Sequence, residues 1–239
     1  MSSPAFDAII FDMDGVLCDS EPFIAAAAAE ALRRRYGIIV AHEDFLPFVG
    51  AGDDRFITGA AASHGVTVDL AVDKALTYEI YLELIAISLQ PVAGVHAFLA
   101  EARAAGLRLA VATGSDRPKL NGNLAAIGVA ESTFDVVISA EHVTHKKPDP
   151  ETFLRAVEAL GLPAARCLVV EDARNGVRAG RATGCAVLGI TSSQSSEALL
   201  EEGAFAVAPD FTAVPAEVRE ALGMRPALGM GPAQERTPV

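Results

Sequence analysis

Asp12 and Asp14 stand two positions apart, directly after the apolar run Ala8-Ile9-Ile10-Phe11 and just before Gly15. A turn leaving a buried strand seldom needs two acids. Three more polar groups occur in comparable places, at or soon after an apolar run: Thr113-Gly114-Ser115, Lys147 in the segment KKPDP, and Glu171-Asp172. Taken singly, each has a plain structural use. Glu171-Asp172 suits a helix start, Thr113-Gly114-Ser115 a loop and cap, and Lys147 a solvated surface. Their recurrence at the ends of apolar runs is what points to chemistry.

Together these groups supply the parts of a phosphoryl-transfer centre. Hard carboxylate ligands such as Asp12 and Asp172 suit Mg²⁺, which takes one or two carboxylates, waters and a phosphate oxygen. A carboxylate beside such an ion can attack phosphorus, because the metal and a lysine offset the repulsion between two anions. Asp14 is placed to protonate the leaving alcohol and then to activate a water. The Thr113 hydroxyl, the Gly114 N–H and the Lys147 ammonium would bind the phosphoryl oxygens.

These residues need a scaffold that brings them together. Apolar runs at 6–12, 107–112, 136–139, 167–170 and 186–190 alternate with helical patterns at 95–105, 117–127, 150–160 and 173–183. Continuously apolar strands separated by helices predict an α/β, Rossmann-like parallel sheet covered on both faces. Helical periodicity alone runs from Ser20 to about position 90, with segments expected at 43–49, 53–64 and 70–89. The chain therefore reads as a core of residues 1–19 and 91–222, a helical insertion of residues 20–90, and a flexible Gly- and Pro-rich tail at 223–239. Segments 197–202, 206–207 and 216–221 read as peripheral elements. An insertion after the first strand would sit over the carboxyl ends of the strands, where open α/β sheets bind ligands.

Composition narrows the partners. With 31 acids against 19 Lys and Arg the net charge is −12, which excludes a general nucleic-acid binder but not a small phosphorylated metabolite. Cys18, Cys167 and Cys185 have neither zinc nor disulfide spacing, so a reducing, cytoplasmic compartment is expected. Neither a signal segment nor a membrane-length apolar run is present. His42, His64, His96, His142 and His145 lack metal-ligand spacing and read as surface or core residues. A monomer or weak homodimer is expected.

FDMDGVLCDSEP, VATGS, KKPDP and VVEDARNGVRAG, in this order and spacing, resemble the four motifs of the haloacid dehalogenase superfamily. The likeness is to its phosphatase and β-phosphoglucomutase-like branch with a helical cap, and it covers about residues 6–210. It implies Asp12 as nucleophile, Asp14 as general acid/base, and Thr113 and Lys147 as phosphoryl binders. Mg²⁺ is implied at Asp12, Asp172, Glu171 and the backbone carbonyl of Asp14. Asp14 speaks against dehalogenases and phosphonate hydrolases. The mutase branch uses a cap histidine and lysine near positions aligned with Ile24 and Thr77, and both are missing here, which favours hydrolysis. Receiver-type phosphate sensors, the remaining alternative, lack an acid poised to remove the phosphate. For substrate selection the expected residues are Arg55 in the turn 50–55, Ser115, Asp116 and Arg117 after the second motif, and Glu21 with Phe23 after the first.

Overall fold

The computed structural model describes residues 5–48 and 52–224. Its elements run β1 (Ala8–Phe11), α1 (Glu21–Tyr36), α2 (Asp53–Ser63), α3 (Leu70–Ser88), α4 (Val95–Ala104), β2 (Arg108–Ala112), α5 (Arg117–Ala126) and β3 (Val136–Ile138). They continue through α6 (Glu151–Leu160), β4 (Cys167–Glu171), α7 (Arg174–Ala182), β5 (Ala186–Ile190), α8 (Ser196–Glu201), β6 (Ala206–Ala208) and α9 (Ala216–Ala221). The six strands form one parallel sheet in the order β3-β2-β1-β4-β5-β6.

The strand carrying the two acids is central. Ala8, Ile9, Ile10 and Phe11 are fully buried because helices cover both faces of the sheet. Alternate residues feed two cores: Ile9 and Phe11 pack into one, Ala8 and Ile10 into the other. Phe11 makes edge-to-face contacts with Phe98 of α4 and with Phe134, with ring centroids 6.3 Å apart in each pair. Phe211 closes the group, 4.8 Å from Phe98. On the opposite face Phe153 and Leu160 of α6 and Val177 of α7 complete the packing.

Register lines up the functional ends. Phe11 lies opposite Val111 of β2 and Val170 of β4, and the Asp12 N–H continues the ladder to the Val170 carbonyl at 2.9 Å. The Thr113 N–H likewise donates to the Ile138 carbonyl at 3.0 Å. Residues just past β1, β2 and β4 therefore share one edge of the sheet.

The segment between β1 and β2 is helical, as the periodicity predicts. Pro22 opens α1, where a missing N–H costs nothing, and Gly37 ends it in the left-handed region at φ 71°. Asp69 caps α3 by accepting from the Val72 N–H. One expected helix differs. Over 43–48 the chain forms two single 3₁₀ turns, His42–Asp44 and Leu46–Phe48; position 49 lies outside the described residues. Pro47 supplies no N–H for a continuing α-helix, and the Asp44 carboxylate bonds the Ala41 N–H at 2.9 Å instead. Of the turn expected at 50–55, Gly50 and Ala51 lie outside the described residues; Asp53, Asp54 and Arg55 form the first turn of α2. The tail expected at 223–239 also lies largely outside them, from 225 onward. Among the described residues no helix is long and apolar enough to cross a membrane.

Phe98 is 1% exposed and touches two rings of the aromatic group, so Phe98→Ala leaves a cavity beneath β1. The expected loss is about 3–5 kcal/mol of stability, read from urea unfolding midpoints; a loss below about 1 kcal/mol would show that the group is not a packing centre.

Candidate active site

Four polar loops follow from that register. Asp12 is 6% exposed, and its Oδ1 accepts from Lys147 Nζ at 2.6 Å. The same ammonium donates to Glu171 Oε1 at 2.7 Å, so one lysine bridges the ends of β1 and β4. The other oxygen of Glu171 accepts the N–H groups of Asp172 and Ala173 at 2.7 and 2.8 Å. Glu171 is thus engaged at both oxygens and orients Lys147. Asp172 lies alongside, near Gly15: a Cβ at Gly15, where φ is +77°, would stand 1.9 Å from Asp172 Oδ2. Only glycine accommodates both that backbone conformation and that approach.

Asp12, Glu171 and Asp172 bring carboxylate oxygens within 4.8 Å of one another, all buried. Burial pushes the Asp12 carboxyl up to about 7; Lys147 opposes this, while Glu171 and Asp14 add to it. Burial, then Glu171 and Asp12, push Asp172 well above the carboxylate range. Burial disfavours the Lys147 ammonium, but Asp12 and Glu171 more than offset it and hold it charged. Three acids against one lysine leave a buried negative excess of hard oxygen donors, and that donor set fits a divalent cation such as Mg²⁺. The Asp14 carboxylate is not part of this group among the described residues.

Asp14 belongs to a separate network. Its Oδ2 accepts from Ser115 Oγ at 2.6 Å, and its Oδ1 lies 3.2 Å from Lys119 Nζ and accepts from Asn123 Nδ2 at 3.3 Å and from the Ser20 hydroxyl. Burial pushes Asp14 up, but Lys119 and these hydroxyls outweigh it, and the carboxyl sits below its usual range. Lys119 Nζ also approaches Asp53 Oδ1 of α2 at 3.4 Å, and Asp53 accepts from Tyr78 of α3 at 2.6 Å. The helical segment therefore rests on the core through the same lysine that holds Asp14. Tyr81 of α3 donating to Asn123, and Lys74 of α3 paired with Asp116, strengthen the contact.

A cavity of about 520 Å³ opens between the strand ends and the helical segment. Asp12, Asp14, Thr113, Gly114, Ser115, Lys147, Glu171 and Asp172 all line it, as does Glu21. Thr113 is buried, and its Oγ1 accepts the Ser115 N–H at 3.0 Å. The structure does not bring the other expected substrate residues there. Arg55 is exposed on the outer side of α2, because its first-turn position puts Asp53 inward instead. Asp116 is drawn to Lys74 at 2.5 Å, and Arg117 to Glu131 at 2.5 Å. Phe23 is also absent from the lining. His42, read from sequence as surface or core, faces the cavity. Thr77 donates to the Asp73 carbonyl within α3, whereas Ile24 does line the cavity. Cys18 is fully buried, with its thiol pushed up by burial and by Asp14, and serves as packing.

Sequence reading missed several contributors, Ser20 and Asp53 among them. Lys119 and Asn123 stand four apart on the inward face of α5, a spacing that was available as a signal. Ser192 and Ser193 follow β5, the next strand along the same edge. Ser192 donates to the Gly15 carbonyl at 2.5 Å and Ser193 to the Asp172 carbonyl at 2.9 Å, bracing the loops that carry the acids.

A parallel sheet that presents buried acids, a lysine and hydroxyls along one edge, beneath a helical layer, has the form of an α/β enzyme with its ligand cavity at the carboxyl ends of the strands. The chain belongs to the haloacid dehalogenase-like hydrolase family, whose profile matches residues 6–184. It is 35% identical over 210 residues to the chloroplast protein SUPPRESSOR OF QUENCHING 1 of Arabidopsis thaliana, a match covering 85% of this chain and 20% of that protein's length. A phosphoglycolate phosphatase of Yersinia pseudotuberculosis is 32% identical over 192 residues, covering 78% of this chain and 82% of the relative. Among solved structures, a mutant of CbbY from Rhodobacter sphaeroides, in complex with xylulose-(1,5)bisphosphate, superposes with a TM-score of 0.77 at 25% identity. That superposition covers 86% of this chain and 95% of that one.

Gly176, in the first turn of α7, gives a direct test of the acid cluster. A Cβ there would lie 1.7 Å from Glu171 Oε1, the oxygen that holds Lys147. Gly176→Ala should lower kcat by about 100-fold while circular dichroism stays that of the parent; retention of activity would mean that Glu171 does not position Lys147.

Proposed function

We propose that this chain is a Mg²⁺-dependent phosphatase that hydrolyses a small phosphomonoester, a sugar phosphate or related metabolite, through an aspartyl-phosphate on Asp12. The observation that carries the reading is the separation of the two acids of the first motif into different networks. Asp12 lies with Lys147, Glu171 and Asp172, while Asp14 lies with Lys119 and two hydroxyls, and both face one cavity. Family membership supports hydrolysis, and the phosphatase among the relatives supports phosphate esters as the substrates.

In this reading Asp12 attacks phosphorus and the bond to the ester oxygen breaks. Asp14 is ionised in the resting site; the anion of a bound phosphate ester would raise its proton affinity, and the proton it then takes up from solvent passes to the departing alcohol. Asp14 then takes a proton from water as that water attacks the phospho-aspartate, breaking the P–O bond to Asp12 and restoring both acids. Lys147, the Thr113 hydroxyl and the Gly114 N–H bind the phosphoryl oxygens. Asp12 and Asp172 would hold the metal, together with the Asp14 backbone carbonyl, and Glu171 would steady the site through Lys147 and the adjoining backbone. A bound Mg²⁺ would supply charge neutralisation at the phosphate. Ser20, Ser115, Asn123 and Lys119 hold Asp14 off the acid cluster, where a further negative charge would oppose anion binding.

Asp12→Asn should reduce phosphate release by at least about 1000-fold, and removal of divalent ions with a chelator should abolish it until Mg²⁺ is restored. Phosphate release that survives either change contradicts the mechanism. Following hexose 1-phosphate isomerisation in parallel separates a mutase, which would show isomerisation faster than hydrolysis.

A further inference from the structure

The cavity has a distinctive charge balance. Besides the acids of the strand ends, Asp19, Glu21 and Asp53 line it together with the apolar side chains of Leu46, Phe48 and Phe56. Among the described lining residues the basic groups are Lys147, Lys119 and His42. Lys147 is taken by Asp12 and Glu171, and Lys119 is 4% exposed between Asp14 at 3.2 Å and Asp53 at 3.4 Å. Two carboxylates therefore share each lysine. Positions 49–51, which lie outside the described residues, read Val-Gly-Ala and add no charge. Lys146 has its Nζ beside Gly52 at the rim and is exposed, so water screens its charge from the buried part of the cavity. Glu21 is pushed up first by burial and further by Asp19, with His42 opposing, as befits an acid in an anionic wall.

We propose that the alcohol portion of the substrate carries no second anion: the site selects monophosphate esters of uncharged, hydroxylated alcohols. The inference rests on the phosphatase reading and deepens it. Desolvating a carboxylate or second phosphate against Glu21, Asp19 and Asp53 is unfavourable when each buried lysine of the cavity is already shared by two acids. Hydroxyl groups instead find acceptors in those carboxylates and an apolar face in Phe48 and Phe56. A volume of about 520 Å³ is ample for a phosphorylated sugar or polyol. This choice would set the chain apart from the relative named for phosphoglycolate, whose ester carries a carboxylate.

The test compares esters matched in skeleton: glycerol 3-phosphate with 3-phosphoglycerate, and a hexose 6-phosphate with the 1,6-bisphosphate. With Mg²⁺ present, the neutral-alcohol ester of each pair should have a kcat/KM at least tenfold higher, and Glu21→Gln should narrow that ratio by about threefold. Calorimetric titration of the same esters into Asp12→Asn should show the same order of affinity, independently of turnover. Equal or better use and binding of the anionic partners overturns the inference. Hydrolysis of p-nitrophenyl phosphate that is lost in Asp12→Asn separates the two readings. If that hydrolysis is present while the anionic esters are preferred, only the substrate inference fails. If the wild type hydrolyses no ester, the phosphatase reading fails, and the calorimetric order still decides the charge preference.

Discussion

Lys147 bridging Asp12 and Glu171 is the contact on which the site depends. Three carboxylates crowd the carboxyl ends of β1 and β4 in a setting nearly closed to solvent. Without a cation among them their mutual repulsion, unscreened by water, would push the two loops apart or force protonation. One ammonium at 2.6 and 2.7 Å from two of them holds the loops together and still leaves a negative excess for a divalent ion. The backbone N–H groups of Asp172 and Ala173 pin Glu171 from the other side, so the lysine is aimed rather than merely attracted. Gly15 and Gly176 complete the arrangement by leaving room where a methyl group would collide with Asp172 or Glu171.

A second lysine organises the opposite half of the cavity. Lys119 lies between Asp14 of the core and Asp53 of the helical segment, and Tyr78 holds Asp53 from above. This contact ties the position of the helices over the strand ends to the orientation of the second acid. Tyr81 with Asn123 and Lys74 with Asp116 reinforce the same seam between α3 and α5. The two carboxylates of the first motif, two residues apart in the chain, thus occupy different electrostatic environments. Asp12 is raised by burial among acids, and Asp14 is lowered by a buried lysine and hydroxyls. A divalent cation beside Asp12 would favour its ionised form, while the lysine and hydroxyls around Asp14 fix the orientation of the second acid.

Local pattern was enough to read much of the molecule. The apolar runs ending at Phe11, Ala112 and Val170 announced buried parallel strands, and the acids, threonine and lysine near the strand ends announced their common edge. Periodicity marked the helical segment, apart from the stretch at 43–48, where Pro47 and a carboxylate-to-backbone bond replaced a helix by 3₁₀ turns. The residues facing the substrate cavity were less legible. Arg55 looked suited to an anion but points outward, because α2 begins at Asp53 and turns Asp53 inward. Asp116 and Arg117 follow the threonine closely in sequence, yet ion pairs with Lys74 and Glu131 draw them elsewhere.

By itself the sequence determined the parallel α/β core, the helical insertion after the first strand, and the residue types at the strand ends. Each of these rests on interactions local in the chain or on apolar patterning that tolerates only one side-chain period. Tertiary structure alone decided which charges meet. Lys119 reaches Asp14 across 105 positions of chain, Lys147 reaches Asp12 across 135, and Ser192 reaches Gly15 across 177. Pairing at such separations depends on how helices pack over the sheet edge, and a helix rotated by one residue would aim a different side chain into the cavity.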